Sequence, residues 1–75
     1  MTYNVDTQEL RKAMIDADLT TAVSLAEASG VDRNTIGAIL NEKIKPSAPV
    51  IEKIAGALSL SGEKIGRIFF SQKLA

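Results

Sequence analysis

The sequence predicts an all-α domain of five short helices. Two observations lead there. Apolar residues recur at i, i+3, i+4 and i+7 along most of the chain, and few β-branched runs alternate with the period of two that a strand needs. The two prolines, Pro46 and Pro49, fall in one short segment, so neither interrupts the helical pattern elsewhere.

The first helix starts after Asp6, an N-cap residue with Glu9 three positions on, as in a capping box. Val5 and Leu10 stand at the two positions of a hydrophobic staple. Leu10, Ala13, Met14 and Ala17 form its apolar stripe, and it ends near Ala17. The second helix starts at Thr20 or Thr21, carries Val23, Leu25, Ala26 and Ala28, and stops at Gly30, which takes the left-handed backbone that ends helices. Asp32 caps the third helix. Ile36, Ile39 and Leu40 follow at helical spacing, Arg33, Asn34, Thr35 and Ala38 lie toward the other side, and the helix runs out at Asn41.

Residues 41–47 form a loop in which Pro46 restricts the residue before it. Ser47 caps the fourth helix, with Pro49 in the first turn, where a missing N–H is harmless. Its stripe is Val50, Ile51, Ile54, Ala55 and Leu58. Ser61 caps the fifth helix, whose inward face is Ile65, Ile68 and Phe69. Phe70 and Leu74 add more apolar area than a last helix needs. They either form a dimer contact or fold back onto the first helix.

Seventy-five residues bound a single domain, 1–75, with a thin core that depends on tidy helix packing. The chain has no cysteine and no histidine, which excludes disulfides and speaks against zinc; no metal or cofactor is expected. No apolar run approaches the ~20 residues of a membrane span. The opening MTYNVDTQEL lacks the basic and apolar regions of a signal peptide, so a cytoplasmic protein is expected. Catalysis lacks its parts: there is no His or Cys, no glycine-rich phosphate loop, and Asp16 and Asp18 are too close in sequence to share a helix face.

Nine basic and nine acidic residues cancel, but they are not evenly spread. Residues 1–30 hold two basic and five acidic side chains, whereas residues 31–75 hold seven basic and four acidic ones. Such asymmetry favours an anionic partner for one face.

The second and third helices are joined by about three residues around Gly30, which makes a helix-turn-helix. Its constraints are physical. Ala26 is small where the next helix crosses, Gly30 allows the turn, and Val31 and Ile36 plug the space between the helices. Read over LAEASGVDRNTIGAILNEK and KPSAPVIEKIAGALSLSGEKI, the chain resembles the phage repressor and Cro type of helix-turn-helix domain across about residues 8–69. Leu25, Ala26, Gly30, Val31, Ile36 and Ile39 match the motif. Pro46, Ile54, Ala55, Leu58 and Ser61 match the two helices after it.

The resemblance implies a bacterial or phage transcription regulator whose third helix, about residues 32–41, enters the major groove of operator DNA. It places Arg33, Asn34, Thr35 and Ala38 at the bases. Arginine grips guanine O6 and N7, asparagine grips adenine N6 and N7, threonine meets a thymine methyl or a phosphate, and alanine gives only an apolar contact. Asn41, Lys43 and Lys45 fall where backbone contacts belong, and Thr20 and Thr21 open a helix whose free N–H groups can hold a phosphate. Where the family commonly has a glutamine in that turn, this chain has Ala22 and Val23. A homodimer on a two-fold site is implied. The alternative is an antirepressor that grips a partner repressor, a reading that zero net charge favours.

Overall fold

The computed structural model describes residues 3–72. Five helices follow one another: α1 (Thr7–Asp16), α2 (Ala22–Ser29), α3 (Arg33–Leu40), α4 (Ala48–Leu58) and α5 (Gly62–Phe69). They match the five expected from periodicity and caps. Two short strands, β1 (Tyr3–Asn4) and β2 (Ser71–Gln72), pair antiparallel beside them, with Tyr3 opposite Gln72 and Asn4 opposite Ser71. Helical periodicity does not foretell this ladder. It follows from tertiary closure, because the Asp6 N–H donates to the Ile68 carbonyl at 2.6 Å and brings the two ends side by side.

Four helix starts are capped by the residue types that favour caps. Asp6 Oδ1 accepts from the Glu9 N–H at 3.1 Å, and Ser61 Oγ accepts from the Lys64 N–H at 3.2 Å. Thr21 and Ser24 exchange reciprocal bonds at 3.0 Å each, closing a capping box on α2. Asp32 caps α3. Ser47 corrects the sequence reading: it holds the N-cap position in extended backbone, but its hydroxyl makes no cap hydrogen bond. Pro49, the second residue of α4, has no N–H, which removes one of the two donors such a cap uses.

The helix ends follow a shared rule. Asp18, Glu42 and Ser59 adopt left-handed backbone, with φ of 58°, 59° and 53°. Each closes the same pair of bonds. Asp18 donates to the Ile15 carbonyl and Leu19 to that of Met14; Glu42 donates to Ile39 and Lys43 to Ala38; Ser59 donates to Gly56 and Leu60 to Ala55. These are Schellman motifs built without glycine. A non-glycine residue in this region costs on the order of 1 kcal/mol, so each end carries some strain.

The core draws on every helix: Leu10, Ala13 and Met14 from α1, Leu25 from α2, Ile36 and Ile39 from α3, Ile51, Ile54 and Leu58 from α4, and Ile68 and Phe69 from α5. Val31 joins it from the α2–α3 turn. α2 packs on α3 and α4, α1 on α5, and α4 on α5. Among the described residues no polar or charged residue is buried, so burial of apolar area carries the core. Two residues counted in the apolar content of α2 lie outside this core. Val23 is 47% exposed, and Ala28 is exposed as well.

Candidate nucleic-acid interface

The α2–α3 unit is held from three directions. Gly30, at φ 78°, ends α2 and donates its N–H to the Ala26 carbonyl at 2.8 Å. Ser29 Oγ accepts from the Val31 N–H at 3.2 Å, which fixes the turn. Leu25, Val31 and Ile36 are buried together in the core, and Ala26 packs at its margin. The turn is residues 30–32, the three-residue connection that the sequence implies. Buried Ile36 and Ile39 fix the rotation of α3, so its opposite side must face outward.

That outward side opens with Asp32. Its Oδ2 accepts from the Asn34 N–H at 2.9 Å and from the Thr35 N–H at 3.3 Å. The carboxylate is therefore spent on the start of α3. Arg33 and Asn34 are exposed, and their side chains make no hydrogen bond or ion pair within the described residues. Thr35 and Ala38 are half-buried at the edge of the face. Gly37 completes it: it stands four residues after Arg33 and four before Asn41, on the same side. A methyl group at Gly37 would meet no protein atom within 4 Å. The sequence reading passed over Gly37, though its spacing from Arg33 and Asn41 is the signal that places it there.

Asn41, Lys43 and Lys45 are exposed on the loop after α3. With Glu42 and Ile44 the two lysines line a groove of about 170 Å³, together with Asn4, Val5 and Ile39. Charge is distributed usefully. Lys12 pairs with Glu9 and Arg67 with Glu63, each at 3.5 Å. Arg33, Lys43 and Lys45 enter no ion pair within the described residues, so their positive charge is available to an outside partner. Thr20 is exposed before α2. Thr21 is exposed too, but its hydroxyl and N–H are engaged in the capping box, leaving the Ala22 and Val23 N–H groups as the open donors of α2.

A family model described as helix-turn-helix matches residues 9–65. The chain belongs to the Cro/repressor-type helix-turn-helix family. The match spans α2 and α3 and the helices around them, and the family is one of DNA-binding regulatory domains, so the domain is of the DNA-binding transcription-regulator type. No curated protein and no solved structure matches the chain.

Further features bear on this helix-turn-helix domain. Among the described residues no group of three His, Cys, Asp or Glu is placed to hold a metal ion, and no helix is long and apolar enough to cross a membrane. Phe70, the first of the two residues expected at a dimer contact, is 50% exposed at the end of α5. Leu74 lies outside the described residues.

Proposed function

We propose that this domain is a small repressor- or Cro-like transcription regulator, of a bacterium or a phage, that binds operator DNA with α3 in the major groove. One observation carries the reading: α3 buries Ile36 and Ile39 and turns Arg33 and Asn34 outward, with no side-chain partner among the described residues. Two side chains with bidentate hydrogen-bonding capacity at the start of such a helix suit direct reading of guanine and adenine. Thr35 and Ala38 meet thymine methyls at the edge of the contact. Asn41, Lys43 and Lys45, with Thr20, Thr21 and the open start of α2, hold the phosphate backbone and set the register. Two copies bind a two-fold site with half-sites about one helical turn apart.

The zero net charge of the chain favours a second reading, in which a partner repressor is the target and DNA is not. Selection from a random duplex library, at low and at physiological salt, separates the two. Enrichment of a defined motif by the protein alone, lost in Arg33→Ala, is the expected outcome. No enrichment at either salt, together with release of a partner repressor from its own operator, would replace the DNA reading with the protein one.

A further inference from the structure

We propose that Glu42 limits the affinity of this domain for DNA of any sequence, by holding a carboxylate among the groups that face the phosphates. The inference rests on the proposed function.

Three helices end in the same motif, and only one of them is ill-suited to it. At α1 the left-handed residue is Asp18 and at α4 it is Ser59, both short polar side chains. Asp is among the residues that enter this region most readily after glycine. The residue that follows is Leu19 in one and Leu60 in the other, and both pack against the core, the apolar contact that usually completes this motif. The end of α3 departs on both counts. Its left-handed residue is the longer Glu42, and its following residue is Lys43, which is exposed.

The helix end adds a charge penalty, one that Asp18 at the end of α1 shares. Glu42 sits just past the C-terminal end of α3, where the helix dipole is negative and a carboxylate is repelled. Part of this is offset by Lys43 and Lys45 beside it and by the start of α1, since Glu42 also lines a cavity with Asp6, Thr7 and Gln8. Glu42 makes no ion pair or side-chain hydrogen bond within the described residues, although Lys43 and Lys45 line the same groove. Backbone and packing argue against glutamate here. A residue that backbone and packing disfavour points to a functional constraint.

Its place shows what the constraint is. Asn41, Lys43 and Lys45 surround it on the loop assigned to the DNA backbone. Glu42 reduces the formal charge of residues 41–45 from the +2 of the lysines to +1. Charges act on one another within about 8 Å at physiological salt, so the carboxylate repels the phosphates its neighbours hold. Phosphate attraction is the sequence-independent part of binding. Glu42 therefore lowers occupancy of all duplexes and leaves base reading by Arg33 and Asn34 untouched.

Two variants test this. Glu42→Gln keeps the side-chain length and the left-handed backbone and removes the charge. Glu42→Gly removes both charge and strain. Affinity for the enriched duplex and for a random duplex is measured between about 50 and 200 mM salt, and the library selection is repeated. Both variants should bind both duplexes roughly three- to tenfold more tightly at the low end, with a log–log salt slope steeper by up to about 0.9 and an unchanged motif. If wild type binds DNA and Glu42→Gln matches it in affinity and slope, the inference fails while the proposed function stands. A gain in Glu42→Gly alone would assign the effect to strain and overturn it, as would a changed motif. No binding by any of the three proteins would overturn the inference and the proposed function together.

Discussion

The Asp32 carboxylate accepts the backbone N–H of Asn34 at 2.9 Å, and so the residue that starts α3 also supplies the only acid in its first turn region. Structure and charge are separable here. Asp32→Ala loses the cap and should destabilise the domain by about 1 kcal/mol. Asp32→Asn keeps an accepting oxygen at the same place and should leave stability within a few tenths of that of wild type. Urea denaturation of the pair measures the difference. Both variants lose the negative charge, so both should bind DNA more tightly at low salt. An equal loss of stability in the two would show that the carboxylate's charge, rather than its accepting oxygen, holds the start of α3.

Arg33 and Lys43 are both exposed and enter no ion pair among the described residues, but different roles follow from their positions. Arg33→Ala should lose roughly 1–3 kcal/mol of binding at one base position and relax specificity there. Lys43→Ala should weaken every duplex alike and reduce the salt slope by about one unit. Titrations against a panel of single-base operator variants at several salt concentrations distinguish these. An equal loss on all sequences from Arg33→Ala would make that residue a phosphate contact.

Gly37 separates stability from binding. A glycine inside a helix costs up to about 1 kcal/mol relative to alanine, and the space around Gly37 is open. Gly37→Ala should therefore raise the melting temperature and, by adding a methyl between Arg33 and Asn41, weaken DNA binding. Gly56 on α4 is exposed with equally open space. Gly56→Ala should give a similar gain in stability with binding unchanged. Unimpaired binding by Gly37→Ala would mean that DNA does not approach this part of α3.

Leu25 has no exposed area, and it lies under the turn that sets α3 on α2. Leu25→Ala should cost roughly 2–5 kcal/mol, a large fraction of the stability of so small a domain. Circular dichroism at increasing urea would report an early, cooperative loss of helix. A variant that unfolds like wild type would show that the α2–α3 packing does not depend on this side chain.

Much of this architecture is legible in the residues, and each illegible part has its own physical cause. Asp6, Thr21, Asp32 and Ser61 announce helix starts because a short polar side chain there has a specific donor to satisfy. Gly30 announces a helix stop for steric reasons, and Ile36 and Ile39 then determine which side of α3 faces out. The left-handed ends at Asp18, Glu42 and Ser59 carry no such mark, since the strain is held by bonds formed only once the chain is folded. The β1–β2 ladder is too short to show alternation and depends on the bond from Asp6 to Ile68. Which of Val23, Leu25, Ala26 and Ala28 face the core is not legible, because α2 has only 8 residues, too few for periodicity to separate its faces. At Ser47 residue type was misleading, because Pro49 removes a donor the cap would use.

The most direct test of a DNA-reading α3 is an amide chemical-shift titration of the labelled domain with the duplex enriched by selection. The account predicts shifts concentrated at residues 33–38 and 41–45 and at the start of α2, with the α4 residues around Gly56 silent. Shifts confined to α5 and Phe70, with α3 silent, would contradict it.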